Sequence, residues 1–96
     1  MTNNIINFQK YRLKREIIDP RYREINNIST LFKRYNFKEE LKLLVEYYDD
    51  LNLYVEELEK QDWDIEKIPK KFVEKLEQSF KRLCRTTEIK LMQLGY

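Results

Sequence analysis

The chain has 96 residues, of which 38% are charged, and its 19 Lys or Arg and 17 Asp or Glu give a net charge of +2 at pH 7. This length suits one domain with a modest core, and a single Gly and two Pro exclude most architectures built from strands and tight turns. The absence of His removes the usual general base and the commonest metal ligand, so we expect one all-α domain over residues 1–96, without cofactor or metal and without enzymatic activity.

Several sequence features predict a cytoplasmic protein. Residues 1–6 lack the apolar core of a signal peptide, and no apolar run reaches membrane-spanning length. Cys84 is the single cysteine, so no internal disulfide can form. We expect no membrane partner.

Two helices are predicted in the first third of the chain. Residues 5–18 place Ile6, Leu13 and Ile17 on one face, with Phe8, Tyr11 and Ile18 beside it. The pair Asp19-Pro20 is expected to end this helix, because a residue before Pro avoids the α region, and to start the next with Asp19 as N-cap. The second helix runs to Asn36, and its apolar seam consists of Tyr22, Ile25, Ile28, Phe32 and Tyr35.

A regular apolar seam predicts a long third helix over about 37–60. Asn36 and Glu39 have the spacing of a capping box at its start. Continuing the seam of the second helix would put Glu39 and Lys42 in the core, so the second and third helices are expected to be separate or sharply bent. The third seam alternates spacings of four and three and consists of Phe37, Leu41, Leu44, Tyr48, Leu51, Val55 and Leu58.

Residues 61–68 form the one sizeable connection, which contains Trp63. A Trp at such a place either packs over the end of a core or anchors an interface. A fourth helix is predicted over about 69–94, with Gly95 as its C′ residue. The predicted fold is therefore a bundle of about four helices with a long antiparallel pair, about 37–60 and 69–94.

Charge is distributed unevenly along the chain. Residues 1–38 hold nine basic and three acidic side chains, residues 39–64 hold two and ten, and residues 65–96 hold eight and four. Opposite charges favour packing of the acidic middle segment against its basic neighbours.

Protein binding is the main functional prediction. Seven Tyr, five Phe and one Trp are more aromatic surface than a helical core of this size needs, and aromatic residues are typical of interface centres. The partner is expected to be a protein, with a second copy of the chain as one candidate. The predicted partner-binding residues are Trp63, Tyr47, Tyr54, Asp49, Asp50 and Glu57.

A regulator that binds nucleic acid is the alternative prediction. Basic side chains occur in the first helix and again in the fourth, where they could contact phosphates. The acidic middle segment would repel phosphate, so protein binding is preferred. The residues predicted to contact nucleic acid are Lys10, Arg12, Lys14, Arg15, Arg82 and Arg85.

The start of the chain also carries a resemblance. Residues 3–11 read NNIINFQKY, and the chain is rich in Lys, Asn, Ile, Glu and Tyr. This segment resembles the starts of small proteins encoded by phages and mobile elements of low-GC bacteria, over about a tenth of the chain. The resemblance implies a helical accessory protein or an inhibitor of a host protein, such as a defence-system component, and it favours stoichiometric binding over catalysis.

Overall fold

A computed structural model of the protein describes the backbone of residues 2–95 and the side chains of residues 8–95. Its elements are helix α1 (Thr2–Leu13), a π-helical segment (Lys14–Ile18), helix α2 (Asp19–Tyr35), helix α3 (Lys38–Lys60), a short 3-10 helix (Ile65–Lys67) and helix α4 (Lys70–Gln93). Residues 2–95 contain no strand. The prediction of an all-α chain is confirmed.

Helix α1, the π-helical segment and α2 join without a break into one helix over residues 2–35, which we call the N-terminal rod. The bundle thus has three long helices, and the predicted break at Asp19-Pro20 is wrong. Asp19 has φ −59° and ψ −41°, inside the α region, and it is not the N-cap of α2. Pro20 cannot donate a hydrogen bond, and its ring would clash with the carbonyl four residues earlier. The π turn, in which the Asp19 N–H donates to the Lys14 carbonyl, accommodates Pro20 without ending the helix.

The π-helical segment also changes which side chains face the core. Leu13 and Ile18, five residues apart, both pack against the core, whereas Ile17 is exposed. The prediction that Leu13 and Ile17 share the core face is therefore wrong, because one extra residue in a turn rotates the preceding helix by about 100°. Ile6, predicted on the same face, lies outside the described side chains.

Helix α3 lies between the N-terminal rod and α4. On one flank the Tyr22 hydroxyl donates to Asn52 Oδ1 at 2.6 Å, and on the other Arg82 Nη1 donates to Glu46 Oε1 at 2.7 Å. Along α3, Glu46 meets Arg82 and Asp50 meets Ser79, so the residue number in α4 falls as that in α3 rises. Lys10–Glu59 and Tyr22–Asn52 show the same order between the rod and α3, so neighbouring helices run in opposite directions. The resulting molecule is elongated, with extents of 55 × 23 × 17 Å.

The core follows the inner face of α3. Leu51 is fully buried, with 0% of its surface exposed, and removing such a side chain from water contributes about 1.5–3 kcal/mol before chain ordering is counted. The buried apolar residues come from all three helices and from the connection after α3. They are Ile18, Ile25, Phe32, Phe37, Leu44, Tyr47, Leu51, Leu58, Trp63, Ile68, Leu76 and Leu83.

One position of the predicted α3 seam is wrong. Tyr48 is 43% exposed, whereas the preceding residue, Tyr47, is only 4% exposed. Because α3 is contacted on two flanks, its most buried line runs between them, and Tyr47 lies on that line. Tyr48 instead meets the ring of Tyr22 edge-on at 5.9 Å. The other seam residues are buried (Phe37, Leu44, Leu51 and Leu58) or partly buried (Leu41 and Val55).

Helix α2 ends in a Schellman motif, and the predicted capping box is wrong. Asn36 adopts the left-handed conformation, with φ 59°, and its N–H donates to the Lys33 carbonyl. The Phe37 N–H donates to the Phe32 carbonyl at 2.9 Å, and the two rings lie 5.8 Å apart. Asn36 therefore closes α2 instead of capping α3, although the predicted separation of the second and third helices is confirmed.

Helix α3 ends in the same motif. Asp62 has φ 55°, and the Trp63 N–H donates to the Leu58 carbonyl at 2.7 Å. At both helix ends an aromatic residue follows the left-handed residue and is buried. Gly95, with φ 86°, occupies the C′ position of α4 as predicted.

Substituting one leucine of α3 tests the assignment of its buried face. Leu51→Ala leaves a cavity at the most buried position, so we expect it to lower the free energy of unfolding by about 2–5 kcal/mol. The matched control Leu53→Ala removes an exposed side chain two residues away and should lower it by less than about 1 kcal/mol. Urea denaturation measures both, and similar losses in the two variants would contradict the assignment.

Glycine substitutions test the left-handed helix end. Asp62→Gly removes the steric penalty of a side chain at φ 55° and should raise the free energy of unfolding by about 0.5–1 kcal/mol. The same substitution at Glu56, an exposed position inside α3, should lower it by about 0.5–1 kcal/mol. Thermal denaturation followed by circular dichroism gives both values, and a loss of stability in Asp62→Gly would show that the end of α3 is not left-handed.

Candidate interaction surface

Helix α1 presents two aromatic rings to solvent. Phe8 and Tyr11 are 67% and 61% exposed. With Arg12, and with Arg15 and Glu16 of the adjoining π-helical segment, they line a shallow concavity of about 220 Å³, in which Glu16 pairs with Arg12. We call Phe8, Tyr11, Arg12 and Arg15 the aromatic–basic surface. Covering rings of this size with a partner removes apolar surface from water and so favours binding. The surface therefore has the composition that interface centres favour.

Among the side chains of α1 that the structure describes, Lys10 and Leu13 contact the rest of the bundle. Lys10 Nζ lies 3.5 Å from Glu59 Oε1 and 5.7 Å from the centroid of the Trp63 ring. The Lys10–Glu59 pair is about half exposed, so it contributes only about 0–1 kcal/mol. Lys10 already meets the last turn of α3, and the residues before it extend beyond that end of the bundle.

Three of the six predicted partner-binding residues lie inside the protein. Trp63, Tyr47 and Asp50 are buried, so in this conformation they do not form an exposed surface. Trp63 packs over the end of the core, next to the end of α3, which supports its interpretation as a core residue over that as an interface anchor. Its Nε1–H has no acceptor within the described part of the chain. The other three residues lie on α3, with Asp49 exposed and Tyr54 and Glu57 partly buried.

Tyr47 connects the three helices near the middle of the bundle. Its hydroxyl accepts a hydrogen bond from Arg21 Nη1 at 2.8 Å, and its ring lies 5.2 Å from that of Phe80. Burial raises the pKa of Tyr47, although Arg21 acts in the opposite direction. The aromatic surplus noted in the sequence thus serves the core at this point.

A groove of about 320 Å³ runs beside this cluster, between α2 and α4. Arg21, Phe80 and Cys84 contribute to its lining. Partial burial raises the pKa of the Cys84 thiol, and Glu24 and Glu88 raise it further. The thiolate form of Cys84 is therefore disfavoured, although the residue is exposed.

A polar pair joins α3 and α4 inside the bundle. The Ser79 hydroxyl donates to Asp50 Oδ2 and also lies 3.0 Å from the Lys75 carbonyl. A carboxylate can be buried only with such partners, so the pair fixes the alignment of the two helices. The sequence interpretation missed Ser79, whose signal is a small polar residue at apolar spacing between Leu76 and Leu83.

The predicted nucleic-acid contacts are partly neutralised by acidic side chains. Lys14, Arg15 and Arg85 are exposed. The other three cations form ion pairs, Lys10 with Glu59 at 3.5 Å, Arg12 with Glu16 at 3.3 Å and Arg82 with Glu46 at 2.7 Å. Two of these carboxylates belong to α3, so the acidic middle segment reduces the net positive charge that phosphates would meet.

Comparison of the chain with models of protein families, with curated proteins and with solved structures found no match. None of the helices described within residues 2–95 combines the length and the apolar character that crossing a membrane requires. The described side chains include no group of three or more Cys, Asp or Glu that could hold a metal ion.

Tyrosine burial predicts a loss of stability in alkali. Burial raises the pKa of Tyr22, Tyr47 and Tyr54 above 10.0, so folding favours their neutral forms. Their contribution is complete below pH 10 and is lost as the pH rises through the folded-state pKa. Tyr47→Phe should be less stable than wild type near neutral pH, because Arg21 loses its acceptor, and this difference should shrink above pH 10.

Urea denaturation at neutral pH and at several points above pH 10 measures this effect. Tyr11→Phe is the matched control, because it removes the hydroxyl of an exposed tyrosine and should change the free energy of unfolding by less than about 0.5 kcal/mol. A constant difference between Tyr47→Phe and wild type across the alkaline range would contradict the prediction.

Proposed function

We propose that this protein acts by binding another protein through the aromatic–basic surface of α1, without catalysis. The supporting observation is the exposure of Phe8 and Tyr11 beside Arg12 and Arg15, on a helix that extends past the end of α3. Aromatic residues and Arg are the side chains most enriched among residues that dominate binding energy. A projecting helix can also enter a groove of its partner.

The charge of α1 indicates what kind of surface it binds. Residues 8–16 contain four basic side chains and one acidic side chain, Glu16, which pairs with Arg12 at 3.3 Å. Two aromatic anchors among these charges fit a partner surface that is acidic around an apolar centre. A cytoplasmic accessory or inhibitor protein of a phage or mobile element, directed at a host protein, is the biological role that we attach to this proposal, because residues 3–11 resemble the starts of such proteins.

Non-enzymatic action is supported by the state of the internal polar groups. The Asp50 carboxylate accepts a hydrogen bond from Ser79, and the Tyr47 hydroxyl accepts one from Arg21. The Cys84 thiol has a raised pKa and the chain contains no His to activate it. These groups align helices, whereas the side chains of the aromatic–basic surface face solvent.

Nucleic-acid binding is the second candidate, favoured by the exposure of Lys14 and Arg15 near Tyr11. Cations could contact phosphates there, and an aromatic ring could stack on a base. Such binding would weaken steeply as salt rises, with affinity falling by orders of magnitude over a modest increase.

Co-purification from the native cell tests the proposal. A tagged chain should recover a protein partner, and Phe8→Ser combined with Tyr11→Ser should weaken its retention by at least about tenfold, since each anchor is expected to contribute about 2 kcal/mol. Ile89→Ser combined with Met92→Ser is the matched control, because it removes two exposed apolar side chains of α4.

Nuclease treatment before capture separates the two candidates. Retention of the partner after nuclease supports direct protein binding, whereas its loss supports the nucleic-acid alternative. Equal recovery with wild type and with the Phe8/Tyr11 variant would show that α1 is not the binding surface. Equal loss in the α4 control would show that the effect is not specific to α1.

A further inference from the structure

The outer face of α3 is also exposed. Val45, Asp49, Leu53 and Glu56 face solvent, and their spacings of three and four place them on one side of the helix. We call these four residues the outer α3 face. It contains two apolar side chains and two carboxylates. Leu53 also lines a cavity of about 210 Å³ together with Lys71, Phe72 and Lys75 of α4, so the face borders basic side chains on that side.

This face complements the aromatic–basic surface in charge. Residues 43–59 contain six acidic and no basic side chains, whereas residues 8–16 contain four basic side chains and one acidic side chain. Asp50 is buried and two of the six acids pair with Lys10 and Arg82, so the carboxylates that the outer α3 face offers are those of Asp49 and Glu56. One contact between the two segments already exists within the chain, from Lys10 to Glu59. Each segment offers the other opposite charge around apolar groups, which favours association and sets its orientation.

The two surfaces cannot meet within one molecule. The inner face of α3, with Leu51 at its centre, is buried between the N-terminal rod and α4. Leu53, two residues further on, lies about 200° around the helix axis from Leu51, on the opposite side. The rod of the same chain packs on a flank of α3, where Tyr22 donates to Asn52 and Lys10 of α1 meets Glu59, so its α1 lies beside the outer α3 face and not over it.

We infer that a second copy of this chain is a partner of α1, with the aromatic–basic surface of each copy docked on the outer α3 face of the other. The inference rests on the proposed function, since it uses the same surface and names its occupant. A two-fold arrangement makes the contact twice, once in each direction. Both exposed rings of each chain would then be covered by apolar side chains and flanked by opposite charges.

Reciprocal charge reversal tests this arrangement. The α1 variant carries Arg12→Glu and Arg15→Glu, and the α3 variant carries Asp49→Lys and Glu56→Lys. In either variant alone, both contacts of the dimer join like charges. In a mixed dimer of the two variants, both contacts again join opposite charges, because reversed α1 meets reversed α3 and native meets native.

Light scattering coupled to size exclusion measures the result over a range of micromolar concentrations. Wild type should approach twice the 12.0 kDa of one chain and dissociate as salt rises. Each variant alone should be monomeric, with dimerisation weakened by at least about tenfold, and an equimolar mixture should recover the dimer. Lys81→Glu with Arg85→Glu, an equal charge change on exposed positions of α4, should leave the dimer intact.

Three outcomes would overturn the inference. These are a wild type that stays monomeric at every concentration, variants that still dimerise on their own, and variants whose mixture fails to dimerise. Circular dichroism of each variant confirms that it remains helical, and recovery in the mixture shows directly that neither has lost its fold.

The proposed function fails in a different experiment. If wild type is monomeric and its cellular partner is lost in the Phe8/Tyr11 variant, the proposed function is supported and self-association is contradicted. A dimer that obeys the charge-reversal pattern while co-purification recovers only its own chain would retain self-association and remove the host target.

Discussion

The structure depends on the burial of one face of α3 between the N-terminal rod and α4. Leu44, Leu51 and Leu58 leave water only if both neighbouring helices are in place. Hydrophobic packing allows several alignments of the helices, and the hydrogen bonds that cross the bundle stabilise one of them. Tyr22 with Asn52 fixes one flank, and Asp50 with Ser79 fixes the other.

The junctions of the chain keep the apolar stripes in phase with that buried face. The π-helical segment brings Leu13 and Ile18 to the same side of the rod although they are five residues apart. The ends of α2 and α3 use a left-handed residue followed by a buried aromatic, so a change of chain direction and a core contact come from the same two residues. A chain with one Gly achieves its turns in this way, with Asn36 and Asp62 in conformations that Gly usually adopts.

The distribution of polar groups separates structural from binding roles. Two hydrogen-bonded pairs cross between helices, Arg21 with Tyr47 and Asp50 with Ser79. They contribute to the alignment of the helices and to the specificity of packing. By contrast, the exposed rings of α1 and the carboxylates of the outer α3 face lie in solvent. The proposed association depends on these exposed side chains of α1 and α3.

Periodicity in the sequence determined the long helices around 37–60 and 69–94, the separation of the second helix from the third, and Gly95 at the end of the last, because these depend on neighbours a few residues away. The cations of the candidate surface, Arg12 and Arg15, were also named from the sequence, though for phosphate and not for protein. Only the tertiary structure decided that Tyr47 and not Tyr48 enters the core, that Asp50 pairs with Ser79, that Trp63 is covered by the chain itself, and that the helix continues through Pro20. A local pattern shows which residues form an apolar stripe on a helix. It does not show which residues of that stripe are buried most deeply, because this depends on where the neighbouring helices lie.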